Sequence, residues 1–307
     1  MLGDFSLAEP TKPLRAALDA TPKLSVVIVN YNTRDLLQAC LRSIEKSEEV
    51  PSMELFVVDN ASSDGSLDMV SEQFPWVRLI ACEENRGYAY ANNLALRQCR
   101  GEYWLLLNPD TVLPPRALRE MTEYMDSHPE AGVAGPKLVR QNGCLDLACR
   151  RGFPSPEVSF YRMLGLSKLF PKSRRFGRYN MTYLDPDQPA EVDSVVGAFM
   201  MVRAAAAKQV GLLDESFFMY GEDLDWAFRI KSVGWKVLYN PAVVVLHYKG
   251  ASSRHSRKAT IEFYRAMDIF YKKHYAKNTN FVIGCLIVAA IRIKCLFSLT
   301  VNRLRPT

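Results

Sequence analysis

The strongest constraint on this chain is a rhythm. Between Leu24 and Ser127, short apolar runs alternate four times with segments of helical spacing. Leu24–Val29 (LSVVIV) and Glu54–Val58 (ELFVV) read as buried strands, and Val77–Ala81 and Tyr103–Leu107 (YWLLL) as a third and a fourth strand. After the first, apolar residues recur at Leu36, Leu37, Cys40, Leu41 and Ile44. After the second they recur at Leu67, Val70 and Phe74. Small residues fill a third helix over 88–99, and Pro114-Pro115 opens a fourth that runs to about Ser127. Strand–helix repetition with short links predicts an α/β fold: a Rossmann-like, mainly parallel sheet flanked by helices. In such sheets ligands bind beyond the carboxyl ends of the strands, so the residues just after each strand carry the information.

Those residues are polar. The first strand gives Asn30-Tyr31-Asn32. The second gives Asp59-Asn60, with Asp64-Gly65-Ser66 as a cap for the next helix. The third is followed by Asn85-Arg86-Gly87 and, further on, Asn92-Asn93. The fourth gives Asn108-Pro109-Asp110. Asp59 fits a turn as well as a ligand contact, and Gly87 fits a tight turn with positive φ. Asp110 is sharper: a carboxylate at the end of an apolar strand can hold Mg²⁺ or Mn²⁺ against a diphosphate. A helix N-cap ahead of Pro114 is its structural alternative.

A second constellation is Phe217-Phe218-Met219-Tyr220-Gly221-Glu222-Asp223-Leu224-Asp225-Trp226. Carboxylates at a helix start are favoured by the helix dipole. An aromatic approach to adjacent carboxylates equally suits a general base whose pKa rises with burial and like charge. Asp225 is expected to face an arginine or cap the helix. His247 ends a short strand, Val243 to His247, preceded by another at Lys236 to Tyr239; its imidazole can complete a carboxylate–imidazole metal site. His128 and His274 read as surface residues.

Composition narrows the classes. A formal net charge of +6 is too mild to imply a nucleic-acid partner. Seven cysteines without a C-x-x-C support neither a zinc ribbon nor a disulfide framework. No G-x-G-x-x-G follows Val29, which excludes a nicotinamide dehydrogenase, and no glycine- and basic-rich phosphate loop supports a nucleotidyltransferase. Residues 1–22 read as a leader without a secretory signal. Residues 140–192 hold five prolines and the basic run Lys172–Arg178, and read as an excursion that closes over the donor side. Phe281–Ile291 is unbroken apolar sequence, and the apolarity resumes beyond Arg292 and Lys294. A helix lying on a membrane surface fits this, with the cations reaching the headgroups; packing on the domain or on a second copy, as a homodimer, is the alternative.

VVIVNYN (26–32), VVDNASSDGS (57–66), NRGYAYANN (85–93), LLLNPDT (105–111), GAFMMVR (197–203), LLDESFFMYGEDLDWAFRIKSVGW (212–235) and VLHYKGASS (245–253) occur in this order. Together they resemble the inverting family-2 glycosyltransferases of GT-A fold, above all the rhamnosyltransferase-like branch. The resemblance implies a GT-A domain over 23–253 and a C-terminal helical, membrane-associating segment with amphipathic helices over 254–307. It implies that Asn30, Tyr31, Asn32, Asp59, Asn60, Arg86, Gly87, Asn92, Asn93, Asn108 and Asp110 line the nucleotide-sugar site. Asp110 and His247 would hold the metal, Asp223 would take the acceptor proton and Glu222 would support it. The implied reaction moves rhamnose from dTDP-rhamnose to a glycan or polyprenyl-diphosphate-linked acceptor in cell-surface polysaccharide synthesis, on the cytoplasmic face of the membrane. Two departures stand out. Asn108 replaces the first Asp of Asp-x-Asp, and Asn60 stands where many relatives carry an Asp that reads a uracil edge. The base therefore stays open between uracil, thymine and guanine. The rival reading is a non-catalytic nucleotide- or sugar-binding module on a degenerate GT-A scaffold; intact Asp110, Asp223 and His247 argue against it.

Overall fold

The computed structural model describes residues 21–248 and 256–304. Most of the leader and the loop 249–253 lie outside them. The first four strands form where the apolar runs place them: β1 (Leu24–Asn30), β2 (Met53–Asp59), β3 (Arg78–Ala81) and β4 (Tyr103–Leu107). Every residue of β1, β2 and β4 is buried, as strands covered by helices on both faces must be. The helices between them are α1 (Arg34–Glu45), α2 (Ser66–Gln73) and α3 (Tyr88–Leu96). β5 (Thr111–Val112) precedes α4 (Ala117–Ser127), which starts after Pro114-Pro115 rather than at it. In α1 the buried face is Leu37, Cys40, Leu41 and Ile44, the stripe that its spacing predicts.

β1 pairs in parallel with β2 and β4, and β2 with β3, so the N-terminal half has the expected parallel order. The other half makes the sheet mixed. It contains β6 (Ala131–Val139), β7 (Ala190–Val192), β8 (Phe199–Arg203) and β9 (Lys236–His247). β8 inserts antiparallel between β4 and β6, and β6 runs parallel to β9. The full order is β3-β2-β1-β4-β8-β6-β9-β5, with β7 also on β9. β6 escapes the apolar-run reading because Gly132, Gly135 and Pro136 dilute it. Gly135 has a packing reason: a Cβ there would stand 2.8 Å from the Val195 side chain. The two short strands expected around 236–247 are one strand, whose irregularity is a register shift opposite Pro136 and Lys137.

Residues 140–192 are more ordered than their prolines suggest. They hold α5 (Pro156–Met163), capped by Ser155, and the single turn α6 (Leu166–Leu169). Both ends of this segment are fixed: Arg150 donates to the carbonyls of Leu184 and Asp185, and the Arg151 N–H to the Ser194 carbonyl.

α7 (Ala204–Val210) and α8 (Glu222–Ser232) pack on the sheet, and α9 (Arg257–His274) follows. Phe217 and Leu224 meet Ala266 and Phe270 of α9 in a second small apolar core. Finally α10 (Phe281–Leu304) lies along α9, tied by Tyr264 Oη to Ser298 Oγ at 2.7 Å and by Asn302 to Thr260 at 3.1 Å. It is one continuous helix, long and apolar enough to cross a membrane. Phe281, Ile293, Leu296 and Phe297 are exposed on it.

Candidate active site

The strand ends meet at one edge of the sheet, as the topology requires. Register pairs Asn30 with Asp59, and their side chains bond at 3.0 Å. Asp59 also accepts the Ser62 N–H, and Asn30 donates to Ser62 Oγ. Asn32, at φ 52°, accepts the Ser63 N–H. These three residues shape the loops beneath the cleft. Tyr31 and Asn60 line the cleft itself. Asn60 Nδ2 donates to Asn85 Oδ1 at 3.0 Å, while its buried Oδ1 has no partner. Gly87 also lines it, at φ 97°, and a side chain there would collide with the Phe218 carbonyl.

Three expected nucleotide contacts lie elsewhere, for reasons of partnership. Arg86 stacks its guanidinium on Tyr90 at 3.9 Å, away from the cleft. Asn92 turns back to the Tyr88 carbonyl. Asn93 uses both ends of its amide on Leu213 and Glu215, joining α3 to the loop before α8. Asn108 does line the cleft and accepts from the Tyr88 hydroxyl at 3.0 Å.

Asp110 and His247 are brought together by the sheet: β5 pairs Thr111 with His247. Asp110 Oδ1 lies 3.3 Å from His247 Nε2, within ion-pair range but misaligned for a hydrogen bond, so this buried oxygen has no hydrogen-bond partner. His247 Nδ1 is 3.0 Å from Asp146 Oδ2. Burial alone would depress the imidazole pKa, but the two carboxylates raise it to about 9. The donor set fits a divalent cation. Metal–ligand distances near 2.1 Å put neighbouring ligand atoms roughly 3 Å apart, and a ligating His typically gives its other ring N–H to a carboxylate. Among the described residues no three metal-ligating side chains converge, so Mg²⁺ or Mn²⁺ held here would need phosphate oxygens and water besides.

Across the cleft, α8 begins with its carboxylates buried. Glu222 Oε2 has no hydrogen-bond partner, and burial, together with the Asp223 charge, pushes its pKa up to about 8. Asp223 Oδ2 takes Arg151 Nη2 at 2.6 Å and the Gly197 N–H at 3.0 Å. The buried Arg151 guanidinium is held charged against desolvation chiefly by that carboxylate. The two adjacent acids thus differ in their surroundings: Glu222 keeps an oxygen without a hydrogen-bond partner, and Asp223 is paired with Arg151. Asp225 faces Arg229 at 2.8 Å, as its sequence context implies, and also His274 at 2.7 Å and Lys273 at 2.8 Å. His274 is therefore no surface residue; it helps fasten α9 to α8.

Arg151, Asp146 and Gly197 are the site residues that sequence reasoning misses. Arg151 and Asp146 come from the proline-rich excursion, where only a pair of adjacent arginines and a lone Asp mark them. Gly197 offers a backbone N–H, which no residue type announces. A cleft of about 1940 Å³ joins all these groups and continues between α5–α6 and α9–α10.

Comparison with known proteins agrees with this architecture. Two family models match: "Glycosyl transferase family 2" over residues 25–211 and "Glycosyl transferase family group 2" over residues 159–305. The N-acetylglucosaminyl-diphospho-decaprenol L-rhamnosyltransferase of Mycobacterium tuberculosis is 30% identical over 244 residues, covering 76% of this chain and 78% of that protein. Rhamnosyltransferase WbbL of Escherichia coli is 25% identical over 268 residues, covering 83% and 96% respectively. Among solved structures, the mannosyltransferase PcManGT of Pyrobaculum calidifontis, in complex with GDP-Man and Mn²⁺, superposes with a TM-score of 0.56 at 20% identity. It covers 93% of this chain, which spans 74% of that one.

Proposed function

The chain belongs to glycosyltransferase family 2, in its rhamnosyltransferase-like branch and with the GT-A fold, and from that premise we propose that it inverts the anomeric centre of a sugar delivered by a nucleoside diphosphate. The donor is dTDP-rhamnose and the acceptor is a glycan or a polyprenyl-diphosphate-linked sugar. The setting is cell-surface polysaccharide synthesis at the cytoplasmic face of the membrane. Both curated relatives are named as rhamnosyltransferases, and one name specifies a diphospho-decaprenol acceptor.

One observation carries the reading: Asp110 with His247 and Glu222 with Asp223 face the same cleft. A divalent cation bound by Asp110 and His247 would neutralise charge on the departing diphosphate. The remaining work falls to side chains. Tyr31 and Asn60 border the nucleotide end, and the unpartnered Asn60 Oδ1 can accept from an N–H of the base. Arg151 and the Gly197 N–H fix the Asp223 carboxylate, which accepts the proton of the attacking hydroxyl. Burial and the neighbouring carboxylate raise the Glu222 pKa, while Asp223 is the member of the pair that meets Arg151. Asp146 orients His247. Residues 140–192 supply Asp146 and Arg151 and close over the donor, and α10 rests on the membrane.

The test is calorimetry with UDP, dTDP and GDP, each with and without Mn²⁺, on wild type and Asp110→Ala. The expected result is Mn²⁺-dependent binding of dTDP that the variant loses. If none of the three binds, the scaffold is a degenerate binding module. Preference for another nucleotide removes rhamnose while leaving the transferase.

A further inference from the structure

Tyr88 touches three of the segments that build the cleft. It is the first residue of α3, so its N–H finds no carbonyl within the helix. That N–H goes instead to the Phe218 carbonyl at 2.6 Å, in the loop that leads into α8. Its hydroxyl lies 3.0 Å from Asn108 Oδ1 and 3.3 Å from the Gly197 carbonyl oxygen. These two acceptors stand where β4 and β8 end side by side: Leu107 pairs with Phe199, and the Asn108 N–H goes to the Ala198 carbonyl. Asn108 opens the Asn-Pro-Asp loop that carries Asp110. Gly197 gives its own N–H to Asp223 Oδ2 at 3.0 Å. Gly197 is therefore held at both ends, by the Asp223 carboxylate at its N–H and by the Tyr88 hydroxyl at its carbonyl.

A hydroxyl has one proton to give. Here two acceptors share it, one on the Asp110 side of the cleft and one beside Asp223, and the shorter distance favours Asn108. Burial, with the acidic groups Glu222, Asp223 and Asp110 nearby, pushes the phenol pKa up, so the group stays a neutral donor. We propose that Tyr88 is a positioning residue: its hydroxyl ties the loop that carries Asp110 to the peptide that fixes Asp223, and so sets the spacing between the departing diphosphate and the proton acceptor. In-line displacement needs the attacking and leaving oxygens on opposite sides of the anomeric carbon. A misplacement of about 1 Å in such a geometry costs about 10² in rate. The role rests on the transferase reading; the hydroxyl bridge itself does not.

Tyr88→Phe keeps the ring and removes only the bridge, and two readouts test it. The first is amide hydrogen exchange on the protein without metal or nucleotide. The Gly197 N–H should exchange about three- to tenfold faster in the variant, the loss of a typical hydrogen bond. The Ser62 N–H, held by Asp59 in the loop after β2, should exchange as in the wild type. Asn108→Ala is the counterpart: it leaves the hydroxyl proton to the Gly197 carbonyl, so Gly197 exchange should be no faster than in the wild type. The second readout is dTDP release from dTDP-rhamnose with Mn²⁺, water taking the acceptor's place, expressed per dTDP site counted by calorimetry. Tyr88→Phe should lower kcat about 10–100-fold while the KM for donor and the affinity for dTDP stay as they were. Added to Asn108→Ala, it should cost less than it does alone, because both act through one bond. Unchanged Gly197 exchange in Tyr88→Phe would overturn the bridge whatever the enzyme does. Faster exchange with wild-type kcat per site would overturn the positioning role, and so would a loss of dTDP binding that accounts for the whole fall in rate. If the wild type neither binds dTDP nor releases it from the donor, the transferase reading falls and takes the role with it, while the exchange result still decides the bridge.

Discussion

The two walls of the cleft answer differently to the sequence. On the nucleotide wall, polar groups sit at consecutive strand ends, and sheet register alone puts Asn30 beside Asp59. On the opposite wall, Asp223 meets an arginine 72 residues earlier, and His247 meets an aspartate 101 residues earlier. The nucleotide wall is a network of neutral amide, hydroxyl and backbone N–H donors among Asn30, Asn32, Asp59, Ser62 and Ser63. The groups set against it are buried charges whose ionic partners lie far away in sequence, Arg151 for Asp223 and Asp146 for His247. Removing a partner there leaves an uncompensated charge, which costs far more than a lost neutral hydrogen bond.

The comparison can be broken in order of expected effect. Asp223→Asn should lower kcat by about 10²–10⁴, the usual contribution of a general base, with dTDP affinity unchanged. Steady-state rates beside calorimetry decide it; a variant with wild-type turnover would move the base elsewhere. Arg151→Met should destabilise the fold by about 3–5 kcal/mol in urea denaturation, because Asp223 is left charged and buried. Arg151→Met combined with Asp223→Asn should recover much of that loss, as coupled partners do. Asp146→Asn should weaken Mn²⁺ binding about 10–100-fold, measured in the presence of dTDP. His247 sharpens the same point through pH. Its pKa rises from 6.5 to about 9 on folding. Its stabilisation of the metal-free protein is therefore complete below pH 6.5 and lost as pH climbs through about 9. Metal affinity should follow the opposite course and increase over that window, since the metal takes the neutral ring. Smallest is Ser62→Ala on the nucleotide wall, where Ser62 Oγ serves Asn30 and the Asn32 N–H. Its cost should be about 0.5–1.5 kcal/mol. A loss as large as that of Arg151→Met would erase the distinction between the walls.

The legible parts of the molecule were those in which local pattern and tertiary position coincide. β1, β2 and β4 are covered on both faces, so their apolar runs need no alternation and stand out. Asp110 and His247 could be read because each ends a strand, even though their adjacency depends on the β5–β9 pairing. β6 was hidden because close packing against Val195 selects glycine over the branched residues that advertise a strand. Arg86, Asn92 and Asn93 occupy the expected loop and helix, yet a helix offers its residues to several directions. Asn93 is directed at Leu213 and Glu215 rather than into the cleft. His274 was misread because its partner, Asp225, lies 49 residues away. Arg151 was invisible because an ion pair leaves no trace in either segment until the two are folded together.

That separation also sets a timetable. A ribosome adds about 5–20 residues per second, so Asp146 waits roughly 5–20 s for the His247 that it orients, 101 residues later. The parallel half of the sheet, closed by short crossovers, can form during that interval. The nascent protein thus passes through a stage in which the loops after β1, β2 and β3 exist while the His247–Asp146 pair is still unmade.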